Sequence, residues 1–183
     1  MNTNGTVDAL FVAPESGAEP ASRQAVDIVD GGVEGDRYCR GKGHFQLDAC
    51  AVTLVAAEAI AAVREETGID VSDGHHRRNV VVDGFGEGMD DLLDATVRLG
   101  DALLRPTRRR PPCAHLEELA GVSGVASALR NRGGLCCDVV QPGSIAVGDA
   151  VQVVDADPRT AGAAIAAQLR ERMADPDSPG DES

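Results

Sequence analysis

The amino-acid sequence predicts a mainly β fold, a mixed β/α chain built on a closed, barrel-like sheet with a few helical decorations. Three observations carry that expectation. Short apolar runs recur along the chain, separated by breaks that contain Gly or Pro. Only two or three stretches space their apolar residues like the buried face of a helix. And the runs do not alternate with helices, as a parallel doubly wound sheet would require.

The elements follow in order. Residues 7–13 form an apolar run ended by Pro14 and read as the first strand, with a Pro/Ser/Gly/Glu-rich loop over 14–22. A second strand over 24–29 stops at Gly31 and Gly32, and the glycines spread over 31–43 make that segment a shaped loop. A buried-type strand over 51–55 runs into a helix over 56–67, where Ile60 and Val63 recur at helical spacing and Gly68 sits at the expected stop. Residues 79–82 form the next strand, closed by Gly84. Gly100 and Asp101 lie between apolar runs at 96–99 and 102–104, the signature of a hairpin. Short helices are expected over 115–120 and 125–130, and strands over 136–140 and 150–154, joined through Pro142–Gly143 and Gly148–Asp149. An Ala-rich amphipathic helix follows, and an acidic tail is left unstructured. The resulting organisation is one domain over 5–156, a helix over 157–173 and a tail over 174–183.

Composition narrows the function. The chain has 183 residues and a net charge of -13, from 17 Lys+Arg against 30 Asp+Glu. Aromatics are 2%, limited to Phe11, Tyr38, Phe45 and Phe85. So few stacking surfaces on so acidic a chain argue against nucleic acid as a partner. No 18-residue apolar run and no basic-then-apolar leader are present, so no membrane span or secretion signal is expected. Among the basic residues only Lys42 is lysine. An acidic, lysine-poor surface suits a halophilic protein, although a GC-rich genome also replaces Lys with Arg. The five cysteines show no evident pairing and no CxxC spacing, which reads as a reduced, cytoplasmic protein.

Scarce positive charge is concentrated. Arg37, Arg40 and Lys42 lie in the first glycine-rich loop, Arg77 and Arg78 precede a strand, and Arg105, Arg108, Arg109 and Arg110 lead into Pro111–Pro112–Cys113. Two readings are open. Either the loops converge on one anion pocket, whose planar guanidinium forks grip phosphate or carboxylate oxygens, or each cluster pairs with neighbouring Asp and Glu. The spacing of Gly35, Gly41 and Lys42 fails the nucleotide P-loop pattern.

Cys113 is the candidate reactive thiol. Two prolines stiffen its approach and four nearby arginines favour thiolate, the form that attacks, carries sulfur or binds a soft metal. Cys50 and one of the adjacent Cys136 and Cys137 read as core, and Cys39 is a second, weaker candidate. His115, two residues after Cys113, is a candidate proton donor or thiolate partner, or else a solvated helix-cap residue. His75 and His76 read as surface. No zinc-type ligand spacing occurs.

Seven motifs occur in a recognisable order: GVEGDRY (32–38), VTLVAAEAI (52–60), RRNVVVDG (77–84), LGDALL (99–104), PPCAHLE (111–117), RGGLCCDVV (132–140) and GSIAVGD (143–149). Taken together the sequence resembles the MOSC domain, the module named after the C-terminal part of molybdenum-cofactor sulfurases, over about residues 5–154. The resemblance implies a barrel-like fold and binding of the molybdenum–pterin cofactor, or handling of sulfur destined for it. Carried over by position, Cys113 is the thiolate ligand to molybdenum or the carrier of a persulfide, with His115 beside it. Arg37, Arg77, Arg78, Asn79 and Arg109 are expected to bind the pterin and its phosphate. The resemblance thus tilts the arginine question toward a shared anion pocket.

The chain looks like the short, stand-alone type, without the extra N-terminal domain of amidoxime-reducing relatives or the pyridoxal-phosphate desulfurase domain of the sulfurases. Lys42, lone and in a glycine loop, argues against an internal pyridoxal Schiff base, so pyridoxal phosphate would act only through a partner. Two functions follow. One is a molybdenum-cofactor oxidoreductase, reducing N-hydroxylated compounds with an electron-transfer protein as donor. The other is a sulfur carrier or transferase that receives a persulfide on Cys113 from a cysteine desulfurase.

Overall fold

The computed structural model of the chain describes residues 4–39 and 50–155. Eleven strands and three α-helices occur in this order: β1 (Asn4–Val12), β2 (Ala21–Arg23), β3 (Ala25–Val29), β4 (Gly32–Val33), β5 (Val52–Ala56), α1 (Ala57–Thr67), β6 (Val80–Asp83), β7 (Thr96–Leu99), β8 (Ala102–Arg109), α2 (Ala114–Ala120), α3 (Val125–Ala128), β9 (Leu135–Gln141), β10 (Gly143–Ala146) and β11 (Ala150–Asp155). Seven of them close a barrel in the order β11-β7-β8-β9-β5-β6-β1, because β1 also pairs with β11 through Asn4↔Gln152 and its neighbours. Closure leaves no free edge within that ring. The expected barrel-like sheet is therefore present, and closed.

Alternation explains the barrel interior. Val52, Leu54 and Ala56 of β5, Val80 and Val82 of β6, and Val97 and Leu99 of β7 all belong to one buried aliphatic cluster. The residues between them, Val55 and Val81, face outward into a second cluster with Ile60 and Val63 of α1, Leu116 and Ala120 of α2, and Val125 of α3. β5 is buried at every position, which is why its sequence shows no polar alternation. Each fully buried Leu or Val contributes about 1.5–3 kcal/mol.

β5, α1 and β6 form a crossover unit with parallel strands, the one parallel pairing among the described residues. α1 ends where its sequence says: Gly68 takes φ 74° and its N–H donates to the Arg64 carbonyl. The Gly100–Asp101 hairpin is also present, joining β7 and β8.

The smaller strands depart from expectation. Residues 21–23, expected as loop, pair with β1, and Gly32–Val33 forms a short bridge to β3 inside the glycine loop. β10 begins at Gly143, in what reads as a joint, and builds a three-stranded sheet with β3 and β4. β8 runs to Arg109 rather than 104, with a bulge between Pro106 and Arg108 against β9. The C-terminal helix and tail expected beyond 156 lie outside the described residues, as do Arg40, Lys42 and His44.

Candidate functional site

The first wall of the site is set by Asp36. Its buried carboxylate accepts the backbone N–H groups of Ala13 (3.0 Å) and Tyr38 (3.1 Å), fixing the GVEGDRY loop against the end of β1. The Arg37 N–H donates to the Ala13 carbonyl at 2.9 Å, and its guanidinium lies 3.6 Å from Asp36 Oδ1 and 3.5 Å from the Arg77 carbonyl. The Tyr38 ring is flanked by two cations, Arg37 at 4.4 Å and Arg110 at 5.3 Å from its centroid.

The second wall is the RRN segment. Arg77 adopts φ 61°, a left-handed conformation disfavoured for a side chain of its size. Its Nη1 donates to the Ala18 carbonyl, yet Nε and Nη2 are buried with no partner. Arg78 is better satisfied, donating from Nε to the Gly133 carbonyl (2.7 Å) and from Nη1 to the His76 carbonyl (3.0 Å). Burial, then repulsion from Arg110, pushes Arg78 down to about 9, which still leaves it charged at neutral pH. Burial, then Arg37, also lowers Arg77. In both, burial is the larger cause, and for Arg77 the nearby Glu19 and Asp36 offset it only in part.

His76, expected at the surface, is fully buried beneath them. Its Nδ1 accepts the Arg78 backbone N–H at 3.0 Å, which assigns the ring proton to Nε2, and the edge-on contact with Phe11 seals it from water. Burial first, then Arg78 and His75, pushes it down to about 3.

The third wall is the strap from β8 into α2. Arg108 and Arg110 fall on one side of this segment and turn into the cleft. Arg109, between them, points away and clasps the Asp90 carboxylate through Nε (2.8 Å) and Nη2 (2.6 Å). Arg110 donates from Nη2 to the Tyr38 hydroxyl (2.8 Å) and from Nη1 to the Cys50 sulfur (3.6 Å), while its backbone N–H donates to the Gly134 carbonyl. The close passage of this strap requires Gly133, where a Cβ would lie 2.5 Å from the Arg110 carbonyl oxygen.

Arg37, Arg77, Arg78, Arg108 and Arg110 thus surround a cleft of about 260 Å³ that no carboxylate lines among the described residues. Of the two readings of the arginine clusters, convergence holds for these five and local pairing holds for Arg109. Leu116 and Leu119 of α2 form the apolar side. Cys113 lines the cleft as an exposed free thiol at the N-cap of α2. His115 also lines it, with Nδ1 3.4 Å from Glu118 Oε2.

Asn79 serves a different place: Oδ1 accepts from the Thr53 backbone N–H and hydroxyl, and Nδ2 reaches the Phe11 carbonyl, stitching β5 to β1 below the cleft. Sequence reasoning missed Tyr38 as a lining group and, within the 105–110 cluster, singled out Arg109 for the ligand where the structure turns Arg108 and Arg110 into the cleft. The two-residue alternation of an extended segment groups Arg108 with Arg110 and was the available signal.

The other cysteines divide by burial. Cys50 and Cys136 form a disulfide across 86 residues, so the expectation of no pairing is corrected. Cys137 belongs to the barrel-interior cluster, where burial raises its thiol well above the usual range, and Cys39 is free and buried. No group of three or more His, Cys, Asp or Glu side chains capable of holding a metal occurs among the described residues. A metal here would have to arrive with ligands of its own.

The chain matches the family model of the MOSC domain over residues 40–152. No curated protein matches it significantly. Among solved structures, the YuaD protein from Bacillus subtilis superposes with a TM-score of 0.71 at 18% identity, covering 84% of this chain and 97% of that one. YiiM from Geobacillus stearothermophilus gives 0.64 at 18% identity, covering 82% and 75%. YiiM from Escherichia coli gives 0.59 at 18% identity, covering 82% and 70%. At such identity these neighbours speak to fold alone. The family match spans more than half of the sequence and agrees with the closed barrel, and the chain belongs to the MOSC domain family.

Proposed function

We propose that this protein binds a molybdenum–pterin cofactor in the arginine cleft, with Cys113 as the protein's thiolate ligand to molybdenum, and works as an oxidoreductase. The MOSC family is associated with that cofactor. The observation that carries the reading is the Arg77 guanidinium: two of its nitrogens are buried, donor-only and unpartnered, in a cleft lined by no carboxylate among the described residues. A phosphorylated ligand supplies the missing acceptors. The donor set also fits, because one soft thiolate suffices for a metal that brings other ligands with it.

When bound, the cofactor would supply two-electron redox chemistry at the metal. The protein's own work is positioning and electrostatics. Arg77, Arg78 and Arg37 would hold the anionic end, and Tyr38 with Leu116 and Leu119 would shield the cleft from water. Arg110 keeps Tyr38 in place. His115, two residues on, would deliver or accept a proton at the mouth. We assign the protein to the cytoplasm with a soluble electron donor; no helix among the described residues is long and apolar enough to cross a membrane.

The exposure of Cys113 favours a second reading, a sulfur carrier. Its thiolate would attack the terminal sulfur of a persulfide on a pyridoxal-phosphate-dependent desulfurase. One S–S bond forms on Cys113 as the other breaks, and the desulfurase cysteine leaves as thiolate. Protein purified from a cofactor-producing host decides between them. The first reading expects about one molybdenum and one pterin per chain, with molybdenum lost in Cys113→Ser. A metal-free protein with a persulfide mass adduct on Cys113 would overturn it in favour of the carrier.

A further inference from the structure

The strap Arg110–Cys113 is a shared wall. The arginine cleft lies along one side; along the other lies a second cavity of about 330 Å³, closed by α3 and the turn that follows it. Cys113 lines both. The floor of the second cavity is backbone: Gly133 and Gly134 lie there, and a Cβ on Gly134 would collide with the Leu54 carbonyl oxygen. Its polar rim comes from Ser127, Arg130 and Asn131, the last at φ 65° in the left-handed turn after α3.

Charge in this cavity is unbalanced. No carboxylate lines it among the described residues. Arg109 is neutralised by Asp90, and the adjacent Glu87 is committed to Arg132. Arg130, by contrast, is exposed and its guanidinium makes no hydrogen bond or ion pair among the described residues. A positive, carboxylate-free concavity that opens onto a free thiol attracts anions toward that sulfur.

We propose that the second cavity is the substrate subsite of Cys113 and takes a small anion, a carboxylate or oxyanion of one negative charge, gripped by Arg130 with Ser127 and Asn131. The inference rests on Cys113 being the reactive group. With the arginine cleft filled by a cofactor, the second cavity is the approach to Cys113 that remains, and its chemistry selects anionic over neutral molecules.

Alkylation of Cys113 in the metal-free protein tests this without any need for turnover. Iodoacetate and iodoacetamide react alike, the thiolate sulfur displacing iodide, but only the first is an anion. At low salt the iodoacetate-to-iodoacetamide rate ratio at Cys113 should fall about threefold to tenfold in Arg130→Gln, with the iodoacetamide rate unchanged. Ser127→Asp should lower the ratio as well, and added salt should erase the difference. Arg108→Gln, which alters only the arginine cleft, should lower it less. A ratio unmoved by Arg130→Gln, or moved only by Arg108→Gln, would show that anions reach the thiol through the cleft and overturns the proposal. Molybdenum content of Arg130→Gln separates this outcome from the cofactor reading: it should equal that of the unaltered protein.

Discussion

Arg132 and Arg77 are two largely buried guanidinium groups in a chain whose net charge is -13, and they are treated in opposite ways. Arg132 meets Glu66 from α1 through both terminal nitrogens and Glu87 at 2.8 Å, and its Nε donates to the Ala128 carbonyl. Those carboxylates raise it above the ordinary arginine range, while Arg132 lowers Glu66. Arg77 has two buried nitrogens without a partner, and its proton affinity is lowered. The chain has carboxylates in surplus, yet none of the described residues that line the cleft is one. Arg132 is paired; the unpaired nitrogens of Arg77 are the ones the proposed function gives to a ligand.

The largest expected effect tests the crosslink that steadies one wall of the cleft. Cys50 accepts Arg110 and is tied to Cys136 over a separation of 86 residues. Loop-closure entropy gives a loop of that length about 4 kcal/mol, as an upper value. Denatured protein kept from reductant should titrate three free thiols, and reduction should lower the denaturant midpoint while leaving Cys113 reactive. Five thiols before reduction would remove the crosslink and leave Arg110 held by Tyr38 alone.

A smaller effect comes from His76 under the cation cluster. Its folded value of about 3 lies below the ordinary 6.5, so in that interval the unfolded chain binds the extra proton. Stability is fully present above pH 6.5 and is lost as pH falls toward 3. Between pH 6.5 and 5, above most carboxylate titration, the slope should approach about 1.4 kcal/mol per pH unit. Urea melts at closely spaced pH values measure it, and His76→Phe should flatten it.

The smallest effect sharpens the contrast itself. Arg132→Gln should cost about 1 kcal/mol, because its acidic partners remain half exposed, with phosphate affinity unchanged. Arg77→Gln should cost less in stability, yet weaken phosphate binding to the cofactor-free protein about tenfold. Thermal melts with and without phosphate at fixed ionic strength read both. Equal behaviour of the two variants would dissolve the distinction.

Much of the barrel was legible because its strands bury aliphatic residues at period two and α1 carries its own stop at Gly68. β2 and β4 were not, since two or three residues have too few positions for a periodicity to register, and β10 was not because it begins at Gly143 of a Pro-Gly pair that reads as a turn. At the site, the arginines were visible as charge, but the alternation that parts Arg109 from Arg108 and Arg110 has meaning only once the segment is known to be extended. Arg109 turns to Asp90 because β8 continues past its bulge as an extended segment, and a bulge leaves no mark in composition. The Cys50–Cys136 link joins residues distant in sequence, which become neighbours only once β8, β5 and β9 lie side by side. His76 was misread as surface because a His-Arg-Arg run looks solvated until it packs against Phe11.

The sandwich of Tyr38 between Arg37 and Arg110 has an optical consequence. The chain contains one tyrosine and no tryptophan, so under excitation at a wavelength that phenylalanine does not absorb its intrinsic emission originates at the wall of the cleft. Any ligand that draws either guanidinium away from the ring, or breaks the 2.8 Å bond to its hydroxyl, changes the brightness of the whole molecule. The protein carries its own label, at the position where occupancy matters.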